Sequence, residues 1–408
     1  MTILTYIIFY ILAGLNIISG IKKKRSNALY VVALFVVFVL MTFNYRGPDI
    51  GAYIKTYNSV GNAHNVKSAH ESTYMEYGYT FLMFCANRIG LDFFAFRIIL
   101  TFVCLSFFVS TVRYYKVNPN FIIGLYMVYL FFFDTIQIRN CISQFIILFA
   151  TRYLFSKTKL SIVKYIACVA IASSIHVLAL VYLSLLLVRL TRSRSFYQCV
   201  CVLAAALFVV CVLIRPLLPQ ILSYISKLLN RGESYLHSEL RFSYLAVMGL
   251  HVVGLLPLYV YGRNICDTQA RRRINTILYI EIIMGVFLPF AFINSNFNRI
   301  FRNILILDTI GLTLLYENTK SRTRANVYAL AAQLSVVGGW FVTDMFRNRN
   351  EDIVNAIMKY NLIFDNIMVG NIWQYIFVAV LCLCVIFAVR CVVPSPTKHY
   401  KRVVQCRQ

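Results

Sequence analysis

The residues with the clearest chemical potential lie in a polar segment that follows an apolar stretch near the N-terminus. Pro48 suits the first position of a helix, where its missing N–H costs no hydrogen bond. Asp49, Tyr53 and Tyr57 then recur every four residues, so they share one face of the predicted helix. An acid and two phenols, with Arg46 just upstream, could line a site for a phosphorylated or sugar-bearing substrate. The same tyrosines are also typical of a helix at the membrane surface, among the lipid headgroups.

Further polar residues interrupt apolar stretches downstream. Glu76 and Tyr77 lead a segment too short to span a membrane, which favours an interfacial or re-entrant helix. Arg139 opens another apolar run beside an acid and several amides, which favours an inward polar pocket over a snorkelling side chain. His176 follows two serines and is equally compatible with a site or with a structural role.

Two arginines near the C-terminal third could form a phosphate-binding fork. Arg299 and Arg302 are three residues apart, so they share a helical face, and guanidinium groups match phosphate oxygens. The alternative is an anchor at the lipid headgroups. We assign the remaining membrane-depth acids, Glu281 and Asp308, to hydrogen bonds between helices, with contact to substrate as the alternative.

Motifs for metal or cofactor binding are missing from the sequence. It has no phosphate-binding glycine loop, no zinc-ligand spacing, no Ser-His-Asp signature and no acidic cluster suited to a divalent cation. His237, His251 and His399 stand alone, and we interpret them as structural. We therefore expect no cofactor and no metal.

Composition places the chain in the membrane. Of 408 residues, 60% are hydrophobic and 13% charged, with a mean hydropathy of +0.71, whereas soluble domains contain about 25% charged residues. We predict an all-α, polytopic protein that forms a single integral membrane domain over 1–408, with about 13 transmembrane or part-spanning helices. The predicted spans are 2–20, 28–44, 93–112, 119–134, 138–155, 160–173, 175–189, 196–214, 242–261, 274–293, 300–316, 327–343 and 371–390.

The distribution of the net charge of +25 over the predicted loops fixes the predicted orientation and leaves no charged tract for nucleic acid, so we expect no nucleic-acid partner. With the basic cluster at 22–25 in the cytoplasm, most of the excess positive charge falls in cytoplasmic segments. The N-terminus is then outside and the C-terminus inside. Outer loops are expected at about 44–92, 215–241, 294–299 and 344–370. Between them, 160–190 holds two short helices that turn near His176.

Several short motifs together resemble the EpsG/Wzy-type polysaccharide polymerases. They are Tyr45-Arg46-Gly47-Pro48-Asp49 with Tyr53 and Tyr57, Glu76-Tyr77-Gly78-Tyr79, Ile138-Arg139-Asn140 and Ser174-Ile175-His176. The order and spacing agree over about residues 1–190. Beyond these, the hydropathy profile and Asn298-Arg299 support the likeness. The family pattern often has glutamine where this chain has Asn140, and an aromatic residue where it has Ile175.

The resemblance implies a GT-C-like membrane glycosyltransferase of the bacterial plasma (inner) membrane, active in exopolysaccharide, capsule or O-antigen synthesis. It implies undecaprenyl-diphosphate-linked oligosaccharide as substrate, with chain-length regulator and export proteins as partners. Asp49 or His176 would act as general base and Arg139 would stabilise the leaving diphosphate. The expected substrate-binding residues are Arg46, Tyr53, Tyr57, Glu76, Tyr77, Arg299 and Arg302.

Two other functions remain open at this stage. A flippase or transporter of the same lipid-linked glycan would also need cationic and aromatic groups, although transporters usually show internal repeats and helices broken at the midplane. A ligase, or another glycosyltransferase that uses the same donor, would need the same groups as a polymerase.

The predicted orientation can be tested by cysteine replacement in a variant without the native cysteines. We expect an impermeant thiol reagent to label positions Asn58 and Ser234 in intact cells, because both lie in predicted outer loops. Positions Thr268 and Thr323 should label after the membrane is opened. Labelling of position 268 in intact cells would contradict the orientation.

Overall fold

The computed structural model describes residues 2–156, 158–190, 194–214, 220, 243–293, 297–320, 322–347 and 351–362. This part of the chain is helical and contains no β-strand, apart from a single bridge between Asn44 and Asn361. The all-α prediction is confirmed for these residues.

Eleven α-helices form the first half of the described chain, with 3₁₀ segments at Thr151–Leu154 and Val177–Leu186. They are α1 (Thr2–Ile21), α2 (Asn27–Phe43), α3 (Ile50–Gly61), α4 (Val66–Glu71), α5 (Tyr77–Arg88), α6 (Phe93–Tyr115), α7 (Pro119–Val128), α8 (Leu130–Ile136), α9 (Ile138–Ala150), α10 (Lys159–Ile175) and α11 (Leu187–Leu190).

The second half adds seven α-helices, a 3₁₀ turn at Gly262–Asn264 and a π-helix at Val342–Arg347. They are α12 (Arg194–Ile214), α13 (Ser243–Tyr261), α14 (Thr268–Gly285), α15 (Leu288–Ile293), α16 (Asn298–Glu317), α17 (Arg324–Phe341) and α18 (Glu351–Lys359).

Short polar residues fix where several helices begin. The side chain of Asp92 accepts a hydrogen bond from the Ala95 N–H at the start of α6. Asp267 caps α14 in the same way through two backbone N–H groups. Pro119 opens α7, where its missing N–H costs nothing.

Nearly every residue of α7, α8, α9 and α16 is buried, so these four helices form the centre of the protein. α1 packs on α7, α6 and α10 pack on α9, and α13, α14 and α17 pack on α16. The outer helices expose large apolar side chains, as lipid-facing helices do. Examples are Ile7, Ile11, Val32, Phe35, Val163, Ile171, Val202, Leu213, Val252 and Leu256.

By length and composition, five helices can cross a membrane. They are Leu4–Ile21, Phe93–Tyr115, Ser195–Leu213, Leu245–Asn264 and Arg324–Met345. The bent pair Pro119–Val128 and Leu130–Ile136, with 65° between its parts, would make a sixth. The prediction of about 13 spans is therefore not confirmed, because many central helices are short or carry polar residues. The predicted span 371–390 lies outside the described residues.

Three of the four segments predicted as outer loops contain helical residues, and the fourth lies almost wholly outside the described residues. Residues 44–92 contain three helices, α3 to α5, and the segment after Glu76 is helical as predicted. The loop 215–241 lies almost wholly outside the described residues. At 294–299, α16 already begins at Asn298, and 344–370 includes α18. The predicted pair of short helices is confirmed: α10 ends at Ile175 and a 3₁₀ helix begins at Val177.

One helix start was predicted two residues too early. α3 begins at Ile50, with Asp49 as the flanking residue, and the Asp49 side chain makes no capping hydrogen bond. Gly47 has a φ of +153°, and the Ile50 N–H bonds to the Gly47 carbonyl at 3.3 Å. The glycine lets a turn form here, and this turn moves Pro48 out of the helix.

Arg97, buried in α6, joins two segments that lead to the polar residues identified in the sequence. Its Nη1 donates to the Asn44 carbonyl at 2.5 Å and its Nη2 to the Thr135 carbonyl at 2.6 Å. Asn44 in turn donates through its amide to the carbonyls of Ala356 and Tyr360. The end of α2, the end of α8 and the end of α18 are therefore held together around one guanidinium.

Replacing Arg97 with lysine should loosen this junction, because one ammonium cannot reproduce a planar fork between two carbonyls. Hydrogen bonds from charged groups contribute about 1.5–3 kcal/mol, so the amide of Gln137 should exchange about tenfold faster or more. Hydrogen–deuterium exchange with mass spectrometry measures this. Arg88→Lys is the matched control, because Arg88 also donates to two carbonyls but is exposed. Equal exchange in both variants would show that Arg97 does not hold the junction.

Candidate active site

A carboxylate shared between a guanidinium and an imidazole forms the centre of the candidate site. Glu76 Oε2 accepts a short hydrogen bond from Arg139 Nη1. Glu76 Oε1 lies 3.2 Å from His176 Nδ1 and 3.3 Å from the Val177 N–H. We call Glu76, Arg139 and His176 the Glu76 cluster. The structure thus brings together three residues that are far apart in the sequence.

Each member of the Glu76 cluster stands at a helix end. Glu76 is the residue that precedes α5, Arg139 is the second residue of α9, and His176 links α10 to the following 3₁₀ helix. The side chains remain in contact with solvent, with 12% of Glu76, 19% of Arg139 and 15% of His176 exposed. The cluster is therefore shielded but still accessible to a substrate.

Gly78 allows α5 to approach α10 closely enough for this contact. A Cβ at position 78 would lie 2.3 Å from Ser174 Oγ and 2.7 Å from the Ser174 carbonyl oxygen. The second of these atoms belongs to the backbone and cannot rotate away. The glycine in Glu76-Tyr77-Gly78-Tyr79 therefore positions Glu76 beside His176, two residues beyond Ser174.

Two aromatic rings lie close to the Arg139 guanidinium. It lies 5.9 Å from the ring centroid of Tyr53 and 5.7 Å from that of Tyr74, within the range of cation–π attraction. Arg139 Nε is 3.5 Å from the Tyr53 hydroxyl. Tyr53 is buried against Tyr79, whereas Tyr74 is 68% exposed. Tyr74 can therefore meet a ligand directly.

The charges of the cluster determine the role of each group. Burial alone raises the pKa of Glu76, but the hydrogen bond from His176 and the charge of Arg139 outweigh it and lower the pKa to about 2. Glu76 is thus ionised at neutral pH and is a weak base. Its ionised form stabilises the fold above pH 4.5, and this contribution is lost as the pH falls towards 2.

An ionised Glu76 also fixes the tautomer of His176. The carboxylate can accept but not donate, so Nδ1 of His176 must carry the proton in this hydrogen bond. Its other nitrogen, Nε2, is buried and has no hydrogen-bond partner among the described residues. In neutral His176, Nε2 therefore carries a lone pair that can accept a proton.

Two polar residues of α16, Arg302 and Asn303, also hold the start of α9. Arg302 donates a short hydrogen bond to Gln137, lies over the Phe133 ring at 4.2 Å and is 3.9 Å from Asp344. Asn303 and Asn140 exchange hydrogen bonds at 2.8 and 2.9 Å. These contacts join α16 to the helix that carries Arg139.

The remaining predicted substrate-binding residues lie elsewhere or are already engaged. Tyr57 is buried against Phe96, and its hydroxyl donates to the Leu91 carbonyl at 2.7 Å, so we assign it to packing and not to the site lining. Arg302 is buried, whereas Arg299 is partly exposed, so the two do not present one accessible fork.

Three further predicted residues lie outside the Glu76 cluster. The exposed Arg46 stacks on the Tyr360 ring at 4.5 Å, and the exposed Tyr77 packs against the ring of His70. Asp49 is partly exposed at the start of α3, one turn before Tyr53. Among the two predicted general bases, His176 is the one held against Glu76.

Sequence reasoning missed three residues around the site. Arg97 was detectable, because an arginine inside the apolar run of α6 is costly and needs a role. Tyr74 gave no signal beyond its aromatic type. Asp344 lies in the π-helix and meets Arg302 and the Tyr129 hydroxyl through tertiary packing, which no local pattern reports.

Helices with lipid-compatible surfaces around a charged, partly shielded cluster define this chain as a membrane protein with a candidate polar site. The EpsG family model matches residues 27–362, which include the whole Glu76 cluster, and the chain belongs to the EpsG family. The resemblance inferred from the sequence is thereby confirmed. Membership supports a polysaccharide-polymerase-like function in the membrane. Neither the curated proteins nor the solved structures contain a match.

Gly78→Ala should destabilise the protein, because the added methyl group meets the Ser174 backbone. Overpacking typically costs about 1–3 kcal/mol. Thermal unfolding of the detergent-solubilised protein, followed by fluorescence size exclusion, should show a lower Tm. Gly51→Ala is the control, since a Cβ there meets nothing within 4 Å and alanine favours the helix. An unchanged Tm for Gly78→Ala would contradict the close approach of α5 and α10.

Proposed function

We propose that the protein polymerises polyprenyl-diphosphate-linked oligosaccharide repeat units at the outer face of the bacterial plasma membrane. The observation that carries this proposal is the Glu76 cluster. It offers a lone pair on one side and a guanidinium on the other, at the ends of helices with apolar surfaces. Such a site meets the needs of glycosyl transfer with diphosphate as leaving group.

His176 acts as the general base. Substrate binding opens access to Nε2, which is buried in the free protein. Nε2 then accepts the proton of a sugar hydroxyl on the acceptor chain, and the hydroxyl oxygen attacks the anomeric carbon of the donor. The bond from that carbon to the diphosphate oxygen breaks, and the lipid diphosphate leaves with the electron pair. The proton then passes from His176 to solvent. Glu76 holds Nδ1 and stabilises the imidazolium while it carries this proton.

Arg139 binds the leaving diphosphate. Nη1 is bound to Glu76, while Nη2 makes no hydrogen bond to the described residues and can meet phosphate oxygens. The fixed charge stabilises the negative charge that develops as the bond breaks. Arg302 positions the start of α9 through Gln137, and Arg299 is the second candidate for a phosphate contact.

Apolar and aromatic surfaces beside the Glu76 cluster suit the remaining parts of this substrate. Val177 and Leu180 follow His176, and Phe81 lies on α5 after Glu76; all three are exposed large hydrophobic residues. They offer a surface for the polyprenyl chain. The exposed rings of Tyr74 and Tyr77 can pack against sugar faces.

Chain extension from purified lipid-linked repeat units, at matched protein levels, tests the proposal. We expect Arg139→Lys to retain membrane insertion but lose about 30- to 1000-fold in rate, because lysine lacks the planar fork. His176→Gln should lose about 10²–10⁴-fold, the usual contribution of a general base. Arg88→Lys, an exposed substitution on α5, is the control and should extend chains normally.

The pattern of products separates this function from its rivals. Near wild-type extension by both Arg139→Lys and His176→Gln would refute the catalytic assignment. Transfer of single repeats to an acceptor without long chains would identify a ligase. In cells that lack the gene, donor trapped on the cytoplasmic side would identify a flippase, whereas single repeats in place of long chains support the polymerase.

A further inference from the structure

A second set of ionisable residues lies inside the protein, apart from the Glu76 cluster. His251 of α13, Glu281 of α14 and Asp308 of α16 are all buried, and their ligand-type atoms lie within 4.8 Å of one another. We call them the His251 cluster. Their helices pack against one another, so the three side chains converge from three directions.

The charges of the His251 cluster are not balanced by basic side chains. Among the described residues, neither Glu281 nor Asp308 forms an ion pair with lysine or arginine. Glu281 is fully buried, yet neither of its carboxyl oxygens accepts a hydrogen bond from a described N–H or O–H donor. A carboxyl oxygen of Asp308 lies within 4.8 Å of one of Glu281. Two ionised carboxylates cannot remain side by side in a low-dielectric interior, so either a cation lies between them or they hold protons.

The orientation of His251 adds a third electron-pair donor. Its Nε2 lies 3.0 Å from the Glu281 carbonyl oxygen, which can only accept, so Nε2 carries the proton. Nδ1 then presents a lone pair, 3.7 Å from Glu281 Oε2. A metal-bound histidine usually donates its second N–H to a carbonyl or carboxylate in this way.

From this convergence we propose that the His251 cluster binds a divalent first-row transition ion, Mn²⁺ or Zn²⁺, through His251 Nδ1 and the carboxylates of Glu281 and Asp308. One imidazole and two carboxylates form a mixed nitrogen and oxygen ligand set that suits these ions. Donors about 2.1 Å from one ion lie at most about 4.2 Å apart, so small side-chain rotations complete the site.

The ion would stabilise the position of α16, the helix that supports the candidate active site. Asp308 is five residues after Asn303 on α16, a rise of about 7.5 Å. Arg302 and Asn303 bind Gln137 and Asn140, the neighbours of Arg139. A divalent ion would thus tie α13 and α14 to the helix that positions α9. The prediction that the chain has no metal site rested on spacing along the sequence, where these residues are far apart.

Metal content of the full-length protein tests the proposal directly. Wild-type protein purified from cells supplied with Mn²⁺ and Zn²⁺, then desalted, should contain about one ion per chain by mass spectrometry of the elements. A bound Mn²⁺ should also show coupling to one imidazole nitrogen by electron spin echo methods. Folded wild-type protein without a divalent ion, under either supply, would overturn the proposal and leave shared protons as the balancing charge.

Substitutions assign the ion to the His251 cluster. Glu281→Gln and Asp308→Asn preserve side-chain volume, and each should reduce the metal content at least tenfold in protein that remains monodisperse. Asp134→Asn, at another buried carboxyl, is the matched control and should keep the wild-type content. If both cluster variants retained one ion per chain, the ion would be bound elsewhere and the assignment would be wrong. If the variants do not fold, the wild-type measurement alone decides.

Discussion

The bond between Glu76 and Arg139 is the interaction on which the candidate site depends. It joins the start of α5 to the start of α9, and the other oxygen of the same carboxylate fixes His176 at the end of α10. Shielded charges are costly unless they are paired and hydrogen-bonded, so none of these three groups is stable without the others. The carboxylate is therefore structural as well as chemical, because its loss would leave the Arg139 guanidinium and the His176 imidazole without their shared hydrogen-bond partner.

The surrounding polar contacts act to keep that bond in place. Arg97 holds the segments before α3 and α9, and Gly78 sets the distance between α5 and α10. Arg302 and Asn303 fix α9 from the side of α16. Each contact is made to a helix end, where backbone carbonyls and N–H groups lack partners within the helix. The site is thus assembled from helix ends, and its precision comes from the packing of the helices behind them.

Sequence reasoning identified the members of the Glu76 cluster but not their arrangement. Glu76 was expected to bind substrate, whereas it pairs with Arg139 and His176, two of the three predicted catalytic residues. A buried charge stands out in an apolar sequence, but its partner depends on tertiary packing. For Tyr57 the sequence placed the residue correctly but did not show its contacts. Its spacing from Tyr53 predicted one shared helix face, and both side chains are buried, but the Tyr57 hydroxyl donates to the Leu91 carbonyl.

The number of spans remains a prediction, because five helices of the described residues, or six with the bent pair, are long and apolar enough to cross a membrane. Hydropathy marks apolar residues without distinguishing contact with lipid from burial in protein. Almost every residue of α9 is buried, and the helix has only 13 residues, so apolar character there reflects the protein core. The break at His176 was predictable, because two basic groups needing the same side of the membrane required a turn between them. Local charge rules therefore predicted this turn, whereas the number of spans and the orientation remain predictions.

Buried or shielded charges are stabilised in three different arrangements, and the contacts in each arrangement indicate which of them can take part in catalysis. Arg97 keeps its charge and donates to backbone carbonyls, by which it holds the fold, and it is almost completely buried. The His251 cluster lies deep in the helix packing, with two acids that require an added cation or protons. The Glu76 cluster carries paired charges, a nitrogen without a hydrogen-bond partner among the described residues, and partial exposure. Catalysis needs a group that is held in place but not consumed by its neighbours, and of the three arrangements the Glu76 cluster alone meets both conditions.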